Sequence, residues 1–348
     1  YKKWLEDISD CQSVGNGHIQ HTAPFMGGGG GPAGWGGAIA VVPYEMYKIY
    51  GDKETFRRYL PKILRYFDYL DSRSSDGLVC REEEGGWCLG DWCPPEQITI
   101  CEPFVNTALY VKQMMMTKEA SEAIGESETA AMLEKRIEEK KQAILSAYYS
   151  PQTGSFIGDA QGANSFAVDI GLGGERAFNN TKKKYDAADA FDTGIFGTDI
   201  LTRVLFERGC ADTAFRLLTS TGKGSFYNMK KQGATTIWEN WDGERSHSHP
   251  MFGAVTRYLF SFILGITQEK NSAGYEKIVI APQIPDGLNR ASGHITTVRG
   301  EIAVSFVRTE REMDFYVTVP QKAWFTYGSD CEYELWEGEN HIHIDFEE

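Results

Sequence analysis

Residues 232–243 read Gln-Gly-Ala-Thr-Thr-Ile-Trp-Glu-Asn-Trp-Asp-Gly and form the most distinctive stretch of the chain. One carboxylate, Glu239, stands between two tryptophans, Trp238 and Trp241. An indole offers a flat apolar face and one polar N–H, which suits the C–H face of a sugar ring. A carboxylate among indoles loses contact with water, so its basicity can be tuned for proton transfer. A second interpretation stays open, in which this is a loop whose two tryptophans pack in the core.

The composition limits the class of partner. A chain of 348 residues is long enough for about two domains. Its 49 acidic and 35 basic residues give a net charge of −14, which disfavours nucleic acid as a partner. No apolar run approaches the length that spans a membrane, so we expect no membrane partner. An aromatic content of 13% is generous, as it often is in carbohydrate-binding proteins.

The cysteines and histidines indicate no metal site. The seven cysteines form no Cys-x-x-Cys pair, and the seven histidines form no His-Glu-x-x-His motif. The odd number of cysteines also argues against a full disulfide framework. We therefore expect neither a metal nor a cofactor.

Helical periodicity runs through the first part of the chain, where apolar residues recur at three-and-four spacing. Asp52 is a predicted N-cap, and Gly125 marks a turn between two long helices. Consecutive helices joined by short turns pack as hairpins, and a ring of hairpins is an α/α toroid. Helices are predicted over residues 41–50, 56–70, 102–124, 128–149, 165–171, 180–190, 199–207, 211–220 and 252–266.

Two glycine-rich loops interrupt the helices and carry candidate ligand-binding residues. Residues 26–37 include five consecutive glycines and Trp35, and they are either a flexible linker or a cleft loop that lets backbone approach a ligand. Residues 85–96 place Asp91 and Trp92 among three glycines and two prolines, which no regular element tolerates. We favour the cleft interpretation for the first loop, and core packing of one tryptophan remains open for the second.

From Gly274 the apolar period changes from helical to alternating, as in Ile302, Val304 and Phe306. This pattern predicts a small antiparallel β-sandwich. We place the boundary in the polar stretch before it, with a helical domain over 1–270 and a β-domain over 271–348.

Several segments together resemble glycoside hydrolase family 78, the α-L-rhamnosidases, over essentially the whole chain and in the right order. The Glu239-centred segment is the most specific of them. They are Pro32-Ala-Gly-Trp-Gly leading to Val42-Pro-Tyr-Glu, Gly90-Asp-Trp, Asp192-Thr-Gly-Ile-Phe-Gly-Thr, Gly233-Ala-Thr-Thr-Ile-Trp-Glu-Asn-Trp-Asp-Gly with His249-Pro-Met-Phe-Gly-Ala-Val, and Gly274-Tyr-Glu-Lys-Ile-Val-Ile-Ala-Pro.

The resemblance implies a mainly α protein with an (α/α)6 toroid, followed by the β-domain, and an inverting hydrolysis of terminal α-L-rhamnose. It places the general base on Glu239, sugar platforms on Trp35 and Trp92, and a polar contact on His249. It also implies that Asp91 fixes its loop or a sugar hydroxyl. Trp238 and Trp241, which flank the base, complete the expected substrate contacts.

One departure from the family concerns the general acid. The family carries it in a block of the form Asp-x-Pro-x-Arg-Glu-x-Leu-Gly-Trp-x-Gly-Asp, which these 348 residues do not contain. An inverting glycosidase needs two carboxyls. We therefore expect the acid, the first helices of the toroid and any signal peptide to lie upstream of Tyr1, and an upstream segment to complete the ring. Gly37 also stands where the family often has Asp.

Two interpretations from other classes remain. The first is another α/α-toroid enzyme, such as a uronyl hydrolase or a lyase, which would need basic residues for a uronate; the tryptophan loops are poor in arginine. The second is a non-catalytic carbohydrate-binding remnant that keeps the aromatic cleft without the acid.

Overall fold

The computed structural model describes residues 1–24, 30–31, 34–83, 88–329 and 331–346. Most of the glycine run that predicts a cleft loop lies outside these residues, together with Pro32, Ala33 and Trp87. Trp35 and both residues of the Asp91-Trp92 pair are described.

Antiparallel hairpins build the helical part. The pairs α2/α3, α4/α5, α6/α7 and α8/α9 each pack together, and short ribbons β1–β2 and β3–β4 follow two of the helices. A last helical segment is a 310 turn at Pro250–Val255, an α turn at Thr256–Tyr258 and a π turn at Leu259–Ile263. The helices are α1 (Lys2–Asp10), α2 (Ala38–Tyr50), α3 (Lys53–Ser72), α4 (Glu102–Ile124), α5 (Ser127–Tyr148), α6 (Ala163–Asp169), α7 (Gly174–Asp186), α8 (Ile195–Glu207), α9 (Ala211–Leu218) and α10 (Phe226–Lys231); the ribbons are β1 (Ser74–Ser75), β2 (Leu78–Val79), β3 (Tyr149–Ser150) and β4 (Ser155–Phe156).

The predicted helix ends are confirmed at two positions. The Asp52 carboxylate accepts the backbone N–H of Thr55 at 2.9 Å and so caps α3. Gly125 takes a φ of +87° at the end of α4, a left-handed conformation that costs glycine little. The short helix α10, by contrast, is absent from the sequence-based prediction, because its six residues are too few to show a period.

Helix α4 lies on the inside of the ring. It buries side chains around its whole circumference, including Phe104, Tyr110 and Met114, whereas α5 exposes one polar face. Helix α4 contacts α2 on one side and α6 on the other, and α6 in turn contacts α8. Alternate helices therefore line the interior, as in the predicted toroid. None of the helices in the described ranges is long and apolar enough to cross a membrane.

Two four-stranded sheets form the C-terminal part, in the orders β12-β9-β8-β7 and β11-β10-β6-β5. Phe315 of the first and Phe325 of the second meet at 4.9 Å between ring centroids, which joins the sheets face to face. The strands are β5 (Ile266–Gln268), β6 (Ile278–Ile280), β7 (Arg290–Thr297), β8 (Gly300–Arg308), β9 (Glu312–Val319), β10 (Ala323–Tyr327), β11 (Cys331–Leu335) and β12 (Gly338–Asp345).

Two details differ from the predicted sandwich. Strand β10 runs parallel to β6, because a sheet crossover places them side by side, so the second sheet is mixed. Strand β5 pairs with β6, so the β-structure begins at Ile266 and takes in part of the stretch assigned to the helical domain. The alternation signal missed β5 because a three-residue strand shows no period.

Lys48, in the last turn of α2, ties the β-domain to the toroid. Its ammonium donates to the carbonyls of Lys270 and Ser272 at 2.8 and 2.9 Å and pairs with Glu119 of α4 at 2.9 Å. Its own carbonyl accepts the backbone N–H of Gly274 at 2.8 Å. The Lys48 side chain thus fixes the segment that connects the toroid to the β-domain onto helices α2 and α4.

We expect Lys48→Met to destabilise the chain by about 1–3 kcal/mol, because it leaves a carboxylate and two carbonyls without their donor. Urea unfolding measures the loss, and limited proteolysis near residue 270 should become faster. Lys231→Met, at an exposed lysine, is the control. Equal stability and equal cleavage in both variants would contradict this role of Lys48.

Candidate functional site

The loop that carries Glu239 folds back on itself. The backbone N–H of Glu239 donates to the carbonyl of Ser246 at 2.8 Å, and that of His249 donates to the carbonyl of Ile237 at 2.9 Å. These two bonds close the loop and hold Glu239 beside its tip. The loop comes after α10 and before the last helical segment, so it joins two elements of the ring.

Glu239 and Trp92 are in direct contact, although 147 residues separate them. The indole Nε1–H of Trp92 donates to Glu239 Oε1 at 3.1 Å, and the backbone N–H of Ser246 lies 3.4 Å from Oε2. Both side chains are half-buried. A donor fixes one carboxylate oxygen, and the partly open side of the group can still accept a proton from water.

A second bond joins the same two loops. The thiol of Cys93 donates to Oδ1 of Asn240 at 3.1 Å. Burial raises the pKa of Cys93 to about 12, with nearby Glu239 contributing, so the thiol keeps its proton at neutral pH. Two adjacent residues of one loop, Trp92 and Cys93, thus bond to two adjacent residues of the other, Glu239 and Asn240.

Asp91 holds its loop and does not reach the surface. It is 0% exposed, and its carboxylate accepts the backbone N–H groups of Gly194 at 2.7 Å and Gly197 at 2.8 Å. Gly194 allows this approach, because a Cβ there would lie 2.4 Å from the carbonyl oxygens of Asp91 and Trp92. Of the two expected roles of Asp91, fixing its loop or a sugar hydroxyl, this geometry favours the first, because both oxygens are engaged at the start of α8.

Trp241 and Trp238, the two expected substrate contacts that flank Glu239, are both buried. Trp241 is 2% exposed; its ring packs against Phe191, Phe226 and Phe252, and its Nε1–H donates to the carbonyl of Thr193 at 3.3 Å. Trp238 is 6% exposed and stacks on His247 with 4.4 Å between ring centroids. For these two indoles, the burial favours the core interpretation.

Trp35 remains half-buried, on a 310 turn at Gly34–Gly37. Its ring meets Phe196 edge-on at 4.8 Å and lies 5.8 Å from His21, centroid to centroid. Phe196 is in the first turn of α8, and Ile195 beside it donates its N–H to the carbonyl of Trp92 at 2.8 Å. The start of α8 therefore brings Trp35, Trp92 and Glu239 into one region of the fold.

His249 offers a polar atom at this loop. The side chain is half-buried, and its Nδ1 is buried without a hydrogen-bond partner among the described residues. A buried polar atom of this kind costs free energy unless a ligand, water or further chain satisfies it.

Arg245 was not among the predicted site residues. Its guanidinium lies over the Trp92 ring, 4.8 Å from the centroid, and makes no ion pair with the described part of the chain. In the sequence it is one arginine in a polar loop, which is no signal by itself. Cys93 and Asn240 were missed for the same reason, since their roles depend on two distant loops meeting.

The interior of the toroid beside Phe196 contains a small cavity of about 170 Å³. Asp169 accepts hydrogen bonds there from Lys112 at 2.9 Å and Arg203 at 2.7 Å. Burial raises the pKa of Glu45, which also lines the cavity. Acidic and basic groups are balanced in this space, so it carries no single sign that would attract an ion.

In the described ranges, three metal-ligating side chains come together at Glu312, His343 and Asp345, within 4.8 Å of one another. They are exposed, on β9 and β12 of the C-terminal sheets. Asp314 accepts from His343 Nδ1 at 2.9 Å, and this bond raises the pKa of His343. The cluster is a surface ion-pair network that belongs to a different element from the Glu239 loop.

Two family models match most of the chain. The model of the bacterial alpha-L-rhamnosidase 6 hairpin glycosidase domain matches residues 1–263, and that of the bacterial alpha-L-rhamnosidase C-terminal domain matches residues 265–325. The chain belongs to the bacterial α-L-rhamnosidase family. The predicted resemblance to glycoside hydrolase family 78 and the toroid with its C-terminal β-domain are thereby confirmed.

Rhamnosidases of several bacteria are similar to this chain. The "Alpha-L-rhamnosidase" of Streptomyces avermitilis is 29% identical over 86% of this chain and 29% of its own length. That of Alteromonas sp. (strain LOR) is 26% identical over 83% of this chain and 33% of its own. The chain thus spans about a third of these relatives. A crystal structure of the S. avermitilis rhamnosidase complexed with L-rhamnose superposes with a TM-score of 0.85 at 24% identity, over 98% of this chain and 36% of the other.

The buried carboxyl of Asp91 predicts a specific dependence of stability on pH. Burial raises its pKa from 3.8 to about 7, although the two backbone N–H groups act in the opposite direction. The folded state then binds a proton that the unfolded chain releases at lower pH. Its contribution to the free energy of unfolding should fall as the pH rises from about 4 to about 7 and level off above.

Asp91→Asn removes this titration. The stability of the original chain relative to the variant, measured by urea unfolding, should therefore decline between pH 4 and pH 7. Asp10→Asn, at an exposed carboxyl, should leave the pH profile unchanged. Parallel profiles for the original chain and Asp91→Asn would show that the Asp91 carboxyl is ionised in the folded state throughout.

Proposed function

We propose that this protein hydrolyses terminal α-L-rhamnosides by an inverting mechanism, with Glu239 as the general base. The observation that carries the proposal is the contact between Glu239 and Trp92. In this contact an indole N–H orients a half-buried carboxylate. The carboxylate belongs to a loop that matches the family motif, and the indoles of Trp35 and Trp92 in the same region are partly exposed. A carboxylate held in this way is suited to take a proton from an attacking water.

The chemical step needs two carboxyl groups. Glu239 would remove a proton from water as its oxygen attacks the anomeric carbon, while the bond to the leaving oxygen breaks and a second carboxyl protonates that oxygen. In inverting enzymes the two carboxyls lie ~6.5–9.5 Å apart, so Glu239 cannot serve as both.

Neither nearby carboxyl of the Trp92 loop suits the role of the acid. Asp91 is buried with both oxygens accepting backbone N–H groups. Glu96 is largely exposed and pairs with Lys223 at 2.8 Å. We therefore propose that the acid comes from a segment outside these 348 residues, as the sequence motif of the family suggests.

The remaining contacts would bind the sugar. Trp35 and Trp92 keep part of their rings open and are the proposed platforms for the apolar face of rhamnose. Nδ1 of His249 would form a hydrogen bond with a sugar hydroxyl, and this bond would supply the partner that the buried atom lacks among the described residues. Asp91, Trp238 and Trp241 would support these residues from beneath.

We expect Glu239→Gln to lower kcat by about 10²-fold or more with little change in KM, because the amide cannot accept the proton from water. Glu244→Gln, which removes an exposed carboxylate from the same loop, is the matched control and should retain its kcat. The assay uses p-nitrophenyl α-L-rhamnoside and the protein with its acid-bearing segment. A Glu239→Gln variant above about a tenth of the original kcat would remove Glu239 from the mechanism.

The source of the acid can be tested separately. The 348-residue chain alone should turn over aryl α-L-rhamnosides only at a background rate, and adding the upstream segment should restore turnover. Robust turnover by the chain alone that Glu96→Gln abolishes would place the acid on this chain instead. Intact mass before and after the assay verifies which polypeptide is active.

A further inference from the structure

Two tryptophans of the β-domain are exposed side by side on one hairpin. Trp324 of β10 is 39% exposed, and Trp336, just after β11, is 66% exposed. Trp324 pairs directly with Glu334 across the hairpin, so these side chains share a face of the sheet. Alternation along β11 puts Trp336 on that same face, whereas Phe325 and Leu335 point into the core and are buried.

Both indole faces are turned toward one ammonium group. Lys322 Nζ lies 5.7 Å from the ring centroid of Trp324 and 5.6 Å from that of Trp336. The same ammonium forms an ion pair with Glu334. The four side chains Lys322, Trp324, Glu334 and Trp336 therefore form one exposed cluster, the indole cleft, in which two indoles lie beside an ion pair.

The indole cleft is unusual for a plain surface. Large exposed indoles cost free energy in water and are enriched where a ligand covers them. Two indoles offer on the order of 200 Å² of open ring, which is about a quarter of the ~800 Å² per partner in a stable protein interface. The size fits one or two sugar rings better than a second protein.

We propose that the indole cleft is a non-catalytic binding site for a pyranose unit of a carbohydrate chain. The apolar C–H faces of the ring would stack on the indoles. The ammonium of Lys322 would donate to a hydroxyl oxygen and the carboxylate of Glu334 would accept from a hydroxyl, so the ion pair supplies both kinds of partner. The opposite charges cancel, which favours a neutral sugar over a uronate.

This binding site is distinct from the proposed catalytic one. It lies on the β10–β11 hairpin of the C-terminal sheets, whereas Glu239 is on a loop of the toroid. The inference does not depend on the identity of the general base.

Affinity gel electrophoresis tests the proposal on the 348-residue chain, with two soluble neutral polysaccharides, dextran and galactomannan, as separate probes. The chain should be retarded by at least one polysaccharide, and Trp324→Ala/Trp336→Ala should weaken the apparent affinity by about tenfold or more. Tyr316→Ala removes another exposed ring of the β-domain and is the matched control, which should keep full retardation. Lys322→Met should weaken binding while leaving both indoles.

Three outcomes would overturn the proposal. One is equal retardation of the original chain and the double tryptophan variant. Another is concentration-dependent dimerisation in sedimentation velocity that the double variant abolishes, because a second copy would then be the occupant. The third is loss of retardation when the protein carries its acid-bearing segment, because that segment would then cover the indole cleft. Aryl rhamnoside turnover should not change in the double variant, so failure here is separable from failure of the catalytic assignment.

Discussion

The arrangement of the site depends on one buried carboxylate. Asp91 reaches across to the start of α8 and accepts two backbone N–H groups at 2.7 and 2.8 Å. The first backbone N–H groups of a helix have no hydrogen-bond partner within the helix, and the helix dipole favours negative charge at that end. A carboxylate is therefore well placed to accept from them. Trp92 is the next residue, and its position relative to α8 follows from this anchor. Trp35 reaches the same helix through Phe196.

Tryptophans serve two purposes in this chain, and burial separates them. Trp241 fills the space between three phenylalanines, while Trp35 and Trp92 stay partly open. The burial of Trp238 and Trp241 fixes the loop on both sides of Glu239.

Periodicity was enough to predict the long elements. Helix α4 agrees with its predicted range, and the Asp52 cap and Gly125 turn were correct, because each depends on residues close together in the chain. Short elements such as α10 and β5 were missed, since they are too brief to show a period. The parallel pairing of β6 with β10 was missed too, because register between distant strands leaves no local pattern.

The same limit explains the site. Motif resemblance predicted roles for Glu239 and Trp92, which the fold brings into contact, yet spacing could not tell which of four tryptophans would be open. The exposure of Trp241 depends on the rings that pack against it, such as Phe191 and Phe252. Phe191 lies far upstream of Trp241 in the sequence, whereas Phe252 follows soon after it. The contacts of Arg245 and Cys93 likewise exist only once the two loops meet.

The hydrogen bond between Trp92 and Glu239 also bears on how the chain folds. It closes a loop of 147 residues that contains three complete hairpins, α4 to α9. Closing a long loop costs conformational entropy before the new contact contributes any stabilisation. We therefore expect the bond to form late, after the intervening hairpins have stacked. Trp92 fluorescence would therefore report completion of the ring, and a polypeptide emerging from the ribosome would hold separate halves of its site until the Glu239 loop had been synthesised.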